Sequence, residues 1–148
     1  MIPQNLYEQI LKVLPIPAVD LIVENEQGKL LLVRRVNEPA KGQWWFPGGR
    51  VHFMEAREDA AKRKLMEECG LKAEKVIEAG TFDVIVERSD VVSVKLHGIT
   101  TLFHVQVGSQ VDFVLDEQNS EADWRLPEEW LQLDLHPFVH NSLLVYKD

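Results

Sequence analysis

Five carboxylates fall within fourteen residues of this chain: Glu55, Glu58, Asp59, Glu67 and Glu68. They follow a glycine pair, Gly48-Gly49, and precede a lone glycine, Gly70. Oxygen donors in this density suit a hard divalent cation such as Mg²⁺. That ion keeps several waters and bridges carboxylates to substrate phosphates. A glycine carbonyl at residue 48 or 49 can add a ligand, because glycine lets the backbone approach closely. For any single glutamate the competing reading is a solvated helix face laced with ion pairs. Glycine pair, helix, carboxylates and glycine stop together favour a cation held against a diphosphate. Lys64 departs from this pattern. An ammonium has no lone pair for a cation and repels one.

The elements that must position these groups are legible from periodicity and punctuation. Residues 3–14 carry apolar side chains at helical spacing (Leu6, Ile10, Leu11, Leu14), and Pro15 and Pro17 end that helix. Val19, Leu21 and Val23 alternate with polar Asp20 and Glu24, as a strand does. Asn25-Glu26-Gln27-Gly28 reads as a turn, followed by a return strand over 29–34. Residues 37–42 read as loop, and Gln43–Pro47 as a strand entering a glycine turn. A helix over 55–69 ends at Gly70 as its C-cap, with Arg63 and Glu67, and Lys64 and Glu68, each four apart on shared stripes. Two longer strands follow at 74–88 and 95–107, separated by a turn at Ser89-Asp90 and a valine-rich link. A loop over 108–119, a strand at 122–125, a brief helix opened by Pro127 and a final helix over 137–146 complete the chain. Trp44, Trp45, Phe46 and Phe53 read as core beside the glycine turn, with one of them free to stack on a base or line a sugar pocket. These elements predict an α+β domain or a small α/β sandwich spanning 1–148.

Composition narrows the class. The chain has 148 residues, 45% of them hydrophobic and 27% charged, enough for a packed core. A net charge of −8 disfavours nucleic acid as a partner. The single cysteine, Cys69, excludes an internal disulfide and a multi-cysteine metal site, and reads as a structural thiol. No signal peptide and no apolar run of about 20 residues is evident, so no membrane partner and a cytoplasmic location are expected.

The segment resembles the signature of the Nudix hydrolases: glycine, five residues, glutamate, seven residues, arginine, glutamate, an aliphatic residue, any residue, two glutamates, any residue, glycine and an aliphatic residue. Gly49, Glu55, Arg63, Leu65, Glu67, Glu68, Gly70 and Leu71 match it, and Lys64 alone departs. The resemblance implies an α/β/α sandwich with a mixed β-sheet. In ordinary members the glutamate expected at residue 64 ligates metal.

The flanking stretches Asp20–Asn25, Arg35–Gly42, Trp45–Val51, Asp116-Glu117-Gln118 and Val139–Ser142 resemble one branch, the GDP-mannose mannosyl hydrolases. That branch also lacks the glutamate expected at residue 64. The resemblance implies attack of water at the anomeric carbon of a nucleotide sugar, releasing a nucleoside diphosphate and a free hexose. It implies Mg²⁺, with Mn²⁺ as an alternative, held by the Gly49 carbonyl, Glu68 and Gln118. It implies that Arg35 and Arg50 steady the diphosphate, that Asp20 is a sugar-side or positioning carboxylate, and that the chain forms a homodimer. The branch has its general base directly after the residue matching Gln118, where this chain has Asn119, and an amide is not a useful base near neutral pH. Other candidates are His52, His97, His104, His136 and His140, and the carboxylates Glu67, Asp116, Glu117 and Glu121. His97 and His104 are seven apart, so they point to opposite faces of an ideal strand. The alternatives are a pyrophosphohydrolase attacking phosphorus and an inactive nucleotide-binding member.

Overall fold

The computed structural model describes residues 2–37, 40–87 and 95–147. Its elements run α1 (Gln4–Leu11), β1 (Ile16–Glu24), β2 (Leu30–Arg35), β3 (Trp44–Trp45), β4 (Gly48–Arg50), α2 (Arg57–Cys69), β5 (Lys75–Glu87), β6 (Lys95–Gln106), β7 (Asn119–Arg125), α3 (Pro127–Trp130) and α4 (Pro137–Lys147). The expected turn at Ser89-Asp90 lies outside the described residues.

Helices cover both faces of a mixed sheet, as expected for an α/β/α sandwich. Strand order is β3-β2-β1-β6-β5, with β4 paired to β1 and β7 paired to β2. The β1–β6 pair is parallel and the other pairs are antiparallel. Side chains alternate across the sheet. Val19, Leu21, Val23, Leu31 and Val33 face α2, where Ala60, Ala61, Leu65 and Cys69 meet them. Ile22, Leu30, Leu32 and Leu102 face the other way, onto Trp130 of α3 and Val139 and Leu143 of α4. The unbroken Leu30–Val33 run is therefore apolar because both faces of β2 are covered. Trp130 also donates its indole N–H to the Leu30 carbonyl at 2.9 Å, tying α3 to that strand.

The sheet splits where the site lies. β1 pairs with β2 only at Val23↔Leu31 and Glu24↔Leu30. Farther along the same edge its partner becomes β4, through Ala18↔Arg50, Val19↔Gly49 and Asp20↔Gly48. On the facing edge of β2, Val33 and Arg34 pair with Trp45 and Trp44 of β3. Residues 44–50 thus form a wedge that drives β1 and β2 apart. This corrects the expected glycine turn: Gly48 and Gly49 are strand residues. The expected strand over Gln43–Pro47 shrinks to Trp44–Trp45, because Phe46 and Pro47 carry the chain from one side of the wedge to the other.

Other boundaries shift as well. The long helix begins at Arg57, with Ala56 as its N-cap, and Gly70 caps it in the left-handed conformation at φ 67°. Glu55 therefore lies before the helix. The N-terminal helix covers Gln4–Leu11 and buries none of its residues. β7 starts at Asn119, earlier than the polar sequence Asn119-Ser120-Glu121 suggests, because it pairs with β2 along its length. Trp45 and Phe46 are core, but Phe53 is 95% exposed. It sits in the turn before α2, where no element covers it.

The two glycines of β4 should respond differently to a methyl group. At Gly48 a Cβ would collide with the Val19 carbonyl oxygen and lie 3.0 Å from the Asp20 Cα, both fixed backbone. At Gly49 it would meet the Lys64 Cε at 2.7 Å, the far end of a flexible side chain. We expect Gly48→Ala to destabilise the fold by about 3 kcal/mol or more and Gly49→Ala by about 1 kcal/mol or less. Urea denaturation of the two variants checks this, and equal losses would count against the wedge geometry.

Candidate active site

The split opens into a groove of about 1190 Å³. Asp20 of β1, Arg35 of β2, Gly49 and Arg50 of β4, Glu67 of α2 and Gln118 before β7 all line it. These residues come from five segments of the chain, and apart from Glu68 they are the site residues expected from the sequence. Glu68 is 2% exposed and lies behind this surface, within reach of the Gly48 N–H at 3.4 Å and of the Lys64 ammonium at 3.9 Å. Lys64 itself lines the groove.

Asp20 is buried, which its alternation with valine and leucine does not suggest. Its Oδ2 accepts from Thr100 Oγ1 at 2.7 Å, and its Oδ1 accepts from the Trp45 indole N–H at 3.1 Å. Burial pushes its carboxyl up to about 7, against the lowering effect of those two hydrogen bonds, and nearby Glu68 pushes the same way. Burial likewise raises Glu68 to about 7, while Lys64 and then Arg35 favour its charged form. Two buried carboxyls thus sit beside one guanidinium and one ammonium, with protonation poised near neutrality. Thr100 and Trp45 hold the Asp20 carboxyl in place, two contacts that sequence reasoning missed. Thr100 reaches Asp20 because β1 and β6 pair in parallel with Asp20↔Leu102 and Ala18↔Thr100. No local signal announces that contact.

Arg35 ends β2 at a register shift against β7, where Arg34 pairs with Glu121 and Arg35 with Asn119. Such a bulge re-aims a side chain. Arg50 is held from two sides. Its guanidinium lies 4.5 Å above the Tyr7 ring of α1, and its carbonyl accepts from Arg63 Nη2 at 3.0 Å. Arg63 also grips Glu55 through two hydrogen bonds of 2.7 and 2.9 Å. The Glu55 Oε1 in turn accepts from the His52 backbone N–H at 3.0 Å. Hydrogen bonding from Arg63 holds the Glu55 carboxyl down to about 2. Glu55 and Arg63 therefore staple the turn before α2 to the helix and fix Arg50.

The dense carboxylates do not act as one cation cage. Glu55 belongs to Arg63, and Glu58 pairs with Lys62 at 3.6 Å. Among the described residues no group of three or more His, Cys, Asp or Glu converges on one point. Glu67 also pairs with Arg63, at 3.2 Å, but it lines the groove, and with Glu68, the Gly49 carbonyl and the Gln118 amide it offers hard oxygen donors there. They are too few to enclose an ion, but they suit one that also takes phosphate oxygens and water, which is how Mg²⁺ is usually held.

The candidate bases separate in space. His52 and His97 line the groove, and His97 is 3.0 Å from Asp83. His104 packs on Tyr146 of α4, 4.8 Å between ring centres, on the opposite face from His97 as strand alternation requires. His136 stacks on Trp45 and faces the Ile85 carbonyl. Of the carboxylates, Glu67 lines the groove while accepting from Arg63 Nη1 at 3.2 Å, Glu121 pairs with Arg34 at 3.2 Å, and Asp116 accepts from the Asn119 amide at 3.1 Å. Asn119 is buried and does not line the groove. Burial raises the Cys69 thiol to about 12, which leaves it unreactive at neutral pH and in accord with a structural role.

The raised Asp20 carboxyl has a consequence for stability. Its unfolded value is near 3.8 and its folded value about 7, so the folded state holds the proton more tightly. The stability this confers is complete below the unfolded value and is lost as pH rises through about 7. Asp20→Asn mimics the protonated form: its oxygen accepts from Trp45 and its amide donates to Thr100. We expect the variant to gain stability over the wild type between pH 5 and pH 8, by an amount on the order of a few kcal/mol. Denaturation in EDTA across that range measures the difference, and parallel curves would refute it.

Comparison with known proteins agrees with this geometry. The family described as NUDIX domain matches residues 14–145. The low-salt glycan biosynthesis protein Agl8 of Haloferax volcanii is 35% identical over 144 residues, covering 96% of this chain and 88% of that protein. An RNA pyrophosphohydrolase of Pseudomonas aeruginosa is 44% identical over 57 residues, covering 38% of this chain and 34% of its own. Among solved structures, the NUDIX domain of Shewanella oneidensis NrtR, crystallised with ADP ribose, superposes with a TM-score of 0.74. It is 20% identical, with 99% of this chain and 97% of that one covered, and it bears on the fold alone. Match length, fold and groove lead to one conclusion: the chain belongs to the Nudix hydrolase family.

Proposed function

We propose that the chain hydrolyses a nucleotide sugar such as GDP-mannose at the anomeric carbon, releasing a nucleoside diphosphate and a free hexose. The observation that carries this reading is the juxtaposition of cationic Arg35, Arg50 and Lys64 with the buried Asp20 carboxyl in one groove. Guanidinium groups pair with phosphate oxygens through a rigid fork, so Arg35 and Arg50 bind and orient the diphosphate. Asp20, locked by Thr100 and Trp45, presents a carboxyl to the sugar, where positive character develops. The name of the 35%-identical relative, a glycan biosynthesis protein, is in keeping with sugar chemistry.

The step balances as a displacement. Water oxygen bonds to the anomeric carbon, the carbon–oxygen bond to the diphosphate breaks, and the diphosphate leaves with the electron pair. The water proton passes to a groove base, for which Glu67 is our assignment. Family members work with divalent metal ions. Mg²⁺, or Mn²⁺ in its place, would be held by Glu68, the Gly49 carbonyl and Gln118 and would stabilise the departing diphosphate. The homodimer and the cytoplasmic location belong to the same proposal. A second copy would cover α1, which buries none of its residues in the single chain. Among the described residues no helix is long and apolar enough to cross a membrane.

The second reading, a pyrophosphohydrolase attacking phosphorus, draws on the match to RNA pyrophosphohydrolase through part of the chain. An inactive nucleotide-binding member would be stabilised by ligand without turnover. Product analysis with GDP-mannose, Mg²⁺ and ¹⁸O-labelled water separates these readings. We expect GDP and labelled free mannose. Labelled mannose phosphate or GMP would establish attack at phosphorus. In the same assay Glu68→Gln and Glu67→Gln should each lower kcat at least a hundredfold, and a fully active Glu67→Gln would remove Glu67 as the base.

A further inference from the structure

Lys64 is an unusual ammonium. Its side chain is only 13% exposed, yet it lines the groove. Its Nζ lies 3.6 Å from Glu67 Oε2 and 3.9 Å from Glu68 Oε1, both beyond hydrogen-bond distance. Among the described residues its three N–H donors make no hydrogen bond. Two long ion pairs offset its charge but leave its N–H donors with no acceptor at hydrogen-bond distance, and keeping such donors from water is costly, so a group placed this way is suited to an acceptor that arrives from outside. The stem runs along Gly49, where the absence of a Cβ leaves room for Lys64 Cε. Arg35 and Arg50 line the same groove, so the arriving group is an anion.

We propose that Lys64 is a built-in cation for the substrate diphosphate, donating to a phosphate oxygen so that the chain binds a nucleoside diphosphate without any metal. This rests on the reading that the groove takes a diphosphate, but it is independent of which bond is broken. A merely neutralising role, in which Lys64 offsets Glu67 and Glu68, makes a different prediction.

Calorimetric titration of GDP and of inorganic pyrophosphate in EDTA tests the proposal. Wild type should bind both. Lys64→Met keeps the stem packed on Gly49 and should weaken binding at least tenfold, and Lys64→Arg should recover most of it. Lys64→Met combined with Glu67→Gln removes one charge of each sign. It should stay weak if Lys64 contacts phosphate and regain wild-type affinity if Lys64 only neutralises. Gly49→Ala displaces the ammonium without deleting it and should also weaken binding, which keeps the test open if Lys64→Met does not fold. Absence of GDP binding to wild type in EDTA, binding by Lys64→Met within twofold of wild type, or recovery in the double variant would each overturn the proposal. Release of sugar phosphate in the product assay would instead overturn hexose release and leave this inference standing.

Discussion

The close approach of β4 to β1 is the constraint on which the site depends. Gly48 lies against the Val19 carbonyl and the Asp20 backbone, with no room for a side chain. That contact lets residues 44–50 enter the sheet as a wedge, anchored to β2 by Trp44-Trp45 and to β1 by Gly48–Arg50. Without the wedge, β1 and β2 would continue their antiparallel pairing and zip shut over the groove. With it, the end of β2 that carries Arg35 moves away from the stretch of β1 that carries Asp20, and α2 presents Lys64 and Glu67 to the opening.

The electrostatics follow from this geometry. Burial disfavours charge on Asp20 and Glu68; nearby Glu68 makes ionisation of Asp20 harder still, and Asp116 does the same to Glu68. Arg35 and Lys64 compensate in part. Such an arrangement is a poor device for stability, since buried ion pairs seldom repay their desolvation. It is a good device for receiving a ligand that brings both negative oxygens and a cation, because the ligand completes the charge balance. Arg63 and Glu55 play a separate part. Their two short hydrogen bonds and the bond to the Arg50 carbonyl stiffen the turn that delivers Arg50 to the groove.

Some of this was legible in the residues alone. The long helix and its Gly70 cap follow from local chemistry, since only glycine enters the left-handed conformation without strain. Arg63–Glu67 and Lys64–Glu68 pairing follows from helical spacing. The β2 core run follows from its four consecutive apolar residues. Other features were misread because periodicity reports one buried face, while β1 is buried on both. Asp20 alternates with apolar residues as a half-buried strand would have it, and is itself buried. The carboxylates looked like one set, but Glu55 and Glu58 are taken up by neighbouring cations. Phe53 looked like core and is exposed.

The sequence by itself determined the family signature, the helix that carries it, the order of the elements other than β4 and the substitution of Lys64 and Asn119 at positions expected to hold a ligand and a base. These depend on residue type and spacing over a few turns of chain. Only the tertiary structure decided that Thr100 holds Asp20 across 80 residues, that Asn119 is buried beside Asp116, and that Glu68 lies behind Lys64. Those relations depend on which strands pair, in which register, and on a wedge whose position no local pattern encodes.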